Sequence, residues 1–267
     1  MIDYESRGEG PAIVFAHGVA GNHASWFQQV PVFSKSYRVV TFDHRGFGRS
    51  GDPDDKGRSG FVDDLKELLD ELAIQQACLV GQSMGGGTVV GFAGRYPERV
   101  SALVVADSLF GIELPDAMQA SFDEARARAA GLDQLQRVLG RAFPESEPEK
   151  TCLYQALASF NATNRINLGG EWGRLYTPPE LQELGVPMLF VVGESDPLVP
   201  AKLVHELSAM ISGSFVAEIS DAGHSPYFEK PTEFNDSLLS FLQAAGVHGT
   251  NAKDALSNTP GYTKVEN

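Results

Sequence analysis

The stretch Leu79-Val80-Gly81-Gln82-Ser83-Met84-Gly85-Gly86-Gly87 decides how the rest of the chain is read. An apolar run over 77–80 enters it, and a helix-like stretch over 88–96 leaves it. Between them stands Gly81-x-Ser83-x-Gly85, the pattern of a sharp turn from strand into helix with an exposed serine at its tip. Such a turn needs a strained backbone at Ser83. It also needs nearly side-chain-free residues two before and two after, because strand and helix press together there. The geometry lifts the Ser83 hydroxyl clear of the sheet and aims the Met84 N–H toward a developing oxyanion. A Gly-rich loop that merely contains a serine is the plain alternative, and the flanking strand and helix patterns argue against it.

Working outward, short apolar runs at 12–16, 38–42, 77–80, 102–106, 188–192 and 215–219 alternate with helical patterns. That alternation predicts an α/β fold, a mostly parallel twisted sheet with helices on both faces. Helices are expected at about 24–34, 60–73, 83–96, 200–211 and 232–244. In the second of these Phe61, Leu65, Leu68, Leu69 and Leu72 recur at helical spacing. The run 12–16 opens into His17-Gly18-Val19-Ala20-Gly21, at the edge where a ligand of such a sheet would sit. The Val19 N–H is the candidate second oxyanion donor beside that of Met84. For His17, a hydrogen bond that orients its own loop is preferred to proton transfer, because another histidine suits that task better.

Gly46-Phe47-Gly48-Arg49-Ser50-Gly51 fits G-x-G-x-x-G letter for letter, but the dinucleotide fingerprint also needs a helix to start there. Asp52-Pro53-Asp54-Asp55-Lys56-Gly57 follows instead, turn material carrying negative charge. A tight loop supporting the site rim is expected, and no cofactor and no metal are. After Asp107-Ser108 the alternation lapses. Residues 109–179 read as several helices, with Pro144-Glu145-Ser146-Glu147-Pro148 as a break. An insertion after a strand's C-terminal end lies over the same edge as Ser83, so it is expected to act as a helical cap that makes the pocket and excludes water. The expected division is a core of 1–108 and 180–246, a cap of 109–179 and a polar tail of 247–267. The tail, with Thr259-Pro260-Gly261, is expected to be disordered or to pack on the surface, without a catalytic part.

The strand at 188–192 ends in Gly193-Glu194-Ser195-Asp196-Pro197, and the next in Ser220-Asp221-Ala222-Gly223-His224. Ser83, Asp196 and His224 therefore sit in that chain order, each on a loop leaving a strand at one edge. Singly, a loop Asp is usually a turn former and a loop His is usually solvated; their joint placement is harder to dismiss. Asp107 also follows a strand and is the rival for the acid position.

With 21 Lys and Arg against 35 Asp and Glu, the net charge is −14. Such a surface repels phosphate backbones and anionic membranes, which excludes nucleic-acid binding as a first reading. Cys78 and Cys152 form no disulfide framework or zinc spacing. No signal peptide and no membrane-length apolar segment is read, so a cytoplasmic protein is expected.

On four motifs the chain resembles the α/β-hydrolase superfamily over about 12–244. These are His17-Gly18-Val19-Ala20-Gly21, Asp43-His44-Arg45-Gly46-Phe47-Gly48-Arg49-Ser50, Gly81-Gln82-Ser83-Met84-Gly85-Gly86, and Ala222-Gly223-His224 after Asp196. The resemblance implies Ser83 as nucleophile, His224 as base, Asp196 as its orienter, and the Val19 and Met84 amides as an oxyanion hole. It implies a hydrolase for a small-molecule ester or lactone. A carbon–carbon bond hydrolase of a diketo acid and a perhydrolase or haloperoxidase share the same residues. A non-catalytic ligand-binding relative is the rival of a different class, disfavoured because all three residues are present. The family's leading antiparallel strands are reduced here to a partial edge strand at 2–6. Candidate substrate contacts are His17, Gly18, Trp26, Arg165, Trp172 and Arg174, with core packing preferred for Trp26 and surface solubility for the two arginines. No nucleic-acid or membrane partner is expected, and a homodimer is left open.

Overall fold

The computed structural model describes residues 2–250 and 262–265 of the 267-residue chain. The apolar runs form β1 (Tyr4–Arg7), β2 (Ala12–Ala16), β3 (Arg38–Phe42), β4 (Ala77–Gln82), β5 (Val100–Ala106), β6 (Met188–Gly193), β7 (Phe215–Ile219) and β8 (Thr263–Lys264). They make one eight-stranded sheet in the order β1-β3-β2-β4-β5-β6-β7-β8. From β3 through β7 neighbouring strands are parallel, while β1 and β8 run antiparallel at the two edges. Register places Ala16 beside Gly81, Gln82 beside Ala106, and Gly193 beside Ile219. The strands thus end nearly level, and their following loops leave one edge together.

Strand periodicity divides the core. Val14, Ala16, Leu79, Leu103 and Val105 face one side, and Ile13, Phe15, Cys78, Val80 and Val104 face the other. Early in the chain, α1 (Val30–Phe33) packs on the second side through Phe33, whereas α2 (Phe61–Glu71) and α3 (Met84–Arg95) cover the first with Leu65, Leu68, Val89 and Phe92. The continuous helix expected at 24–34 is instead a 3₁₀ turn at His23–Trp26 followed by α1. Pro31 has no N–H to give a preceding carbonyl, so the helix restarts with proline in its first turn.

Between β5 and β6 the chain makes a long excursion. It contains α4 (Asp116–Ala129), α5 (Gln134–Val138), α6 (Phe143–Ser146) and α7 (Pro148–Ser159), then an irregular strap over 160–177 and α8 (Pro178–Glu183). The expected break at 144–148 holds only at Glu147; Pro144 and Pro148 each stand in the first turn of a helix. The two stems are stapled together, since Tyr176 N–H donates to Gly111 O at 3.0 Å and Glu113 N–H to Tyr176 O at 2.9 Å.

The core then closes with α9 (Ala201–Ala209), α10 (Pro226–Glu229) and α11 (Pro231–Ala244). Chain packing continues past α11. Val247 is buried, and the Tyr37 hydroxyl donates to its carbonyl at 3.1 Å. Farther on, Tyr262 stacks edge-on against Phe215 and β8 pairs with β7, so part of the expected polar tail is an edge strand. Thr259-Pro260-Gly261 lies outside the described residues. Among the described residues no helix is long and apolar enough to cross a membrane.

A tight junction forms where β4 meets α3. A Cβ on Gly81 would stand 2.3 Å from the Gly85 carbonyl oxygen, and one on Gly85 would stand 2.1 Å from that of Ala16. Backbone atoms cannot yield as a flexible side chain can. Gly85→Ala is therefore expected to cost about 1–3 kcal/mol or more, as overpacking does. Urea unfolding measures it, and an unchanged midpoint contradicts this packing.

Candidate active site

Ser83 sits at the β4–α3 junction with φ 51° and ψ −115°, a conformation that L residues rarely adopt. Its N–H donates to Ala106 O at 2.8 Å, and its carbonyl accepts from Gly86 N–H at 2.9 Å. The strain, of order 1–3 kcal/mol, is held by hydrogen bonds on both sides of the residue. Asp196 and His224 lie on the loops after β6 and β7. His224 Nε2 is 2.9 Å from Ser83 Oγ, and His224 Nδ1 is 2.6 Å from Asp196 Oδ2. Asp196 is buried and spends Oδ1 on the N–H groups of Leu198 and Val199, at 2.7 and 3.1 Å. The structure thus brings Ser83, His224 and Asp196 into one hydrogen-bonded row.

Two buried residues that sequence reading passes over hold the imidazole loop. Gln82 donates from Nε2 to His224 O at 2.7 Å, while its Oε1 fills the place a Cβ on Gly18 would need. Glu229 accepts from Gly223 N–H at 3.0 Å and Ser225 N–H at 3.3 Å, on either side of His224. Its other oxygen accepts from Gly140 N–H at 2.6 Å, which ties the excursion to the same loop. Tyr154 of α7 adds a 3.2 Å hydroxyl contact to Ser225. Glu229 is five residues after His224, and no spacing rule marks it; its meaning comes from partners distant in sequence.

His17 uses both ring nitrogens on backbone. Nε2 accepts from His44 N–H at 3.0 Å, so Nδ1 carries the proton and donates to Gly18 O at 2.7 Å. Burial pushes its pKa down to about 4, partly countered by that bond to Gly18. The ring is neutral and occupied, and it fixes the turn in which Gly18 O also accepts from Gly21 N–H at 2.9 Å. Gly18 lies against the proposed reacting centre, where its Cβ would come 3.2 Å from Ser83 Cβ. Met84 N–H opens α3 and has no intrahelical acceptor. Val19, Leu168 and Trp172 pack on a small buried cluster of Phe47, Phe61 and Met84.

The Gly46–Gly51 loop starts no helix. Gly46 and Gly48 take positive φ, and buried Asp43 gathers the N–H groups of His23 and Arg49 at 2.6 and 2.8 Å. Gly48 N–H then donates to Asn161 Oδ1 at 2.9 Å, and Asn161 Nδ2 donates to Gly21 O at 3.0 Å, so the strap is pinned to both loops.

Two candidate substrate contacts need correction. Trp26 is wholly buried between Phe15, Tyr227 and Phe234, where no substrate reaches it. Arg174 is exposed, paired with Glu180 and laid over the Tyr176 ring. It lines a cavity of about 140 Å³ on the outer flank of α3 with Arg58 and Arg95, and neither Ser83 nor His224 lines that cavity. Trp172 stacks on Phe110 at 5.6 Å and covers Gly87. Arg165 has no carboxylate partner among the described residues.

Asp107, the rival acid, is fully buried at φ 47° and accepts from Gly193 N–H at 2.9 Å. Its Oδ2 has no hydrogen-bond partner. Burial first, and then the Asp196 charge, push its carboxyl well above the usual carboxylate range. Its surroundings favour the protonated form, and the imidazole bonds Asp196 instead. Asp107, Asp196 and His224 bring three possible metal-ligand atoms within 4.8 Å of one another. The hydrogen bonds just described already engage Asp196 and both His224 nitrogens, and we assign no metal there.

With the geometry in place, relatives can be compared. The family model for the alpha/beta hydrolase fold matches residues 11–231. The chain belongs to this family. It is 29% identical over 251 residues to a 3-oxoadipate enol-lactonase of Acinetobacter baylyi, covering 91% of this chain and 93% of that one. It is 25% identical over 251 residues to a 2-hydroxy-6-oxo-6-(2'-aminophenyl)hexa-2,4-dienoic acid hydrolase of Metapseudomonas resinovorans, covering 90% and 86%. A thermophilic esterase from Thermogutta terrifontis superposes with a TM-score of 0.76 at 22% identity, covering 91% and 93%, a likeness of fold. The α/β architecture expected from the alternation of strands and helices is the one found, and the protein is a hydrolase of this family.

The buried Asp107 makes a stability prediction. Unfolded, it titrates near 3.8; folded, it holds its proton to a higher pH. Its contribution is therefore full below 3.8 and is lost as pH rises through the raised folded value. D107N keeps an acceptor for Gly193 and has no proton to lose. Urea unfolding at pH 5 and pH 8 is expected to show wild type losing stability relative to D107N; a constant difference contradicts a neutral Asp107.

Proposed function

We propose that the protein hydrolyses a carboxylic ester or lactone through an acyl-enzyme on Ser83. The observation that carries this reading is the hydrogen-bonded row from Ser83 Oγ through His224 to Asp196, with spacings of 2.9 and 2.6 Å, at the tip of the strained junction. His224 Nε2 takes the hydroxyl proton as Ser83 Oγ attacks the carbonyl carbon. Asp196 holds Nδ1–H, fixes the tautomer, and stabilises the imidazolium that forms. The tetrahedral oxygen takes hydrogen bonds from the Met84 and Val19 N–H groups, each worth about 10²–10³ in rate. Proton return to the leaving oxygen gives the acyl-enzyme, and water then repeats the sequence to release the acid. The excursion from α4 to the strap serves as the cap that shapes the pocket and keeps bulk water from the acyl group.

A carbon–carbon hydrolase acting on a diketo acid is the second reading, supported by the Metapseudomonas relative that bears such a name. A perhydrolase using the same serine would differ only in taking peroxide at the second step. A panel of p-nitrophenyl esters, lactones and one dienone diketo acid separates the first two, and added peroxide tests the third.

Ser83→Ala is expected to lower ester turnover by about 10⁴ or more. D196N is expected to lose about 10³–10⁴ by favouring the wrong imidazole tautomer. D107N, which does not touch the imidazole, is expected to lose far less. Steady-state kinetics on one p-nitrophenyl ester reads all three. Near-wild-type turnover in S83A, or a deeper loss in D107N than in D196N, contradicts the assignment.

A further inference from the structure

The loop that carries His224 is held at four of its backbone groups. Ser195 N–H donates to Ala222 O at 2.9 Å, and Gln82 Nε2 donates to His224 O at 2.7 Å, both from the core. The N–H groups of Gly223 and Ser225, one on each side of His224, donate to Glu229 Oε1 at 3.0 and 3.3 Å. Glu229 Oε2 instead accepts from Gly140 N–H at 2.6 Å, between α5 and α6 of the excursion. Glu229 is buried, and no Lys or Arg pairs with it among the described residues. Its charge is met by these three amides.

Three donors converge on this side chain, and that dictates its chemistry. A carboxylate accepts at both ends. A glutamine would turn its NH2 group toward a donor at one end or the other, and a protonated acid would do the same with its O–H. Burial raises the Glu229 carboxyl above its ordinary range, and the three amide bonds oppose that rise by favouring the charged form. The two oxygens also serve different parts of the molecule, Oε1 the histidine loop and Oε2 the excursion. Their backbones meet at this point, since a Cβ on Gly223 would stand 2.4 Å from Gly140 N and 2.5 Å from Leu139 C.

We propose that Glu229 is a positioning residue for the base: accepting on both oxygens, it sets His224 against Ser83 and makes that setting depend on the excursion being docked at Gly140. This rests on the hydrolase reading above. The proton passes between Ser83 Oγ and His224 Nε2 across 2.9 Å. A displacement of about 1 Å in such a pair costs about 10²-fold in rate. Loosening Gly223 to Ser225 permits that displacement while leaving the Val19 and Met84 amides where they are, so the loss falls on kcat rather than on substrate binding. Docking of the excursion thereby does more than shape a pocket. When Gly140 leaves Oε2, the carboxylate is free to turn and the histidine loop loses its brace. Glu229 itself neither gives nor takes a proton in the reaction.

Steady-state kinetics on one p-nitrophenyl ester compare wild type with E229Q and G140A. E229Q is expected to lower kcat about 10–10²-fold with KM little changed. In G140A the carboxylate stays, but the new Cβ would stand 2.9 Å from Oε2, the end of a side chain that can yield. The chain then folds with the link broken, and G140A reads the link alone should E229Q fail to fold. It is expected to show the same split, and the double variant to be no worse than E229Q, because both break one link. Glu229 lines a cavity of about 550 Å³ together with the exposed Arg141 and Asp221, so small solutes reach it. Formate is accordingly expected to restore part of the kcat lost in E229A, and chloride is not. Wild-type kcat in E229Q and G140A, losses that multiply in the double variant, or a folded E229A that formate leaves unmoved overturns the positioning role. The His224 Nδ1 proton, shared with Asp196 across 2.6 Å, gives a downfield proton NMR resonance that needs no turnover. Its shift or loss in E229Q, with no ester cleaved by wild type, keeps the positioning role and sinks the acyl-enzyme. An unmoved resonance, with E229Q cleaving esters as fast as wild type, does the reverse.

Discussion

The backbone of Ser83 is the constraint on which the site depends. Its φ of 51° turns the chain from the end of β4 into α3 within one residue, and that turn is possible only because Gly81, Gly85 and Ala16 meet backbone to backbone. A side chain at either glycine would push the helix off the sheet and lower the serine into it. Neighbouring strands ending level then bring three further loops to the same place: the His17 loop after β2, the Asp196 loop after β6 and the His224 loop after β7. From the last of these the His224 imidazole reaches the serine, and Asp196 reaches the imidazole.

Around that centre, the polar groups are organised in two layers. Nearest the serine are the imidazole of His224 and the carboxylate of Asp196. Behind them, Glu229, Gln82, His17 and Asp43 each satisfy backbone N–H or carbonyl groups of the loops rather than meeting the serine. Burying these groups is tolerable because almost all their bonds are made, and the resulting network leaves the loops few alternative conformations. Glu229 is the member that also reaches the excursion, through Gly140. The excursion is thereby registered on the histidine loop at one end and, through Asn161, on the Gly21 and Gly48 loops at the other.

Much of this was readable beforehand for a simple physical reason. Strands buried on both faces must be apolar throughout, so β2 to β7 appear as runs such as Ala12–Ala16 and Met188–Gly193. Residues that follow those runs fall at one edge by topology alone, which is why Ser83, Asp196 and His224 could be grouped before any distance was known. What escaped was whatever depends on partners far away in sequence. Glu229 and Gln82 look like ordinary polar residues until their buried acceptors and donors are seen. The restart of the first helix follows from Pro31, and Trp26 packs in the core against Tyr227 and Phe234, the reading preferred for it from the sequence. The edge strand β8 is two residues long, too short for periodicity to register.

The account's central claim is that the row behind Ser83 makes this one hydroxyl, among all the serines of the chain, an acylating nucleophile. A fluorophosphonate probe followed by peptide mapping tests it most directly, because the phosphonylated product does not turn over. The account predicts one label per chain, on the peptide containing Ser83, with ester hydrolysis disappearing in proportion to labelling. Label at another residue, or hydrolysis that survives stoichiometric labelling of Ser83, would contradict it.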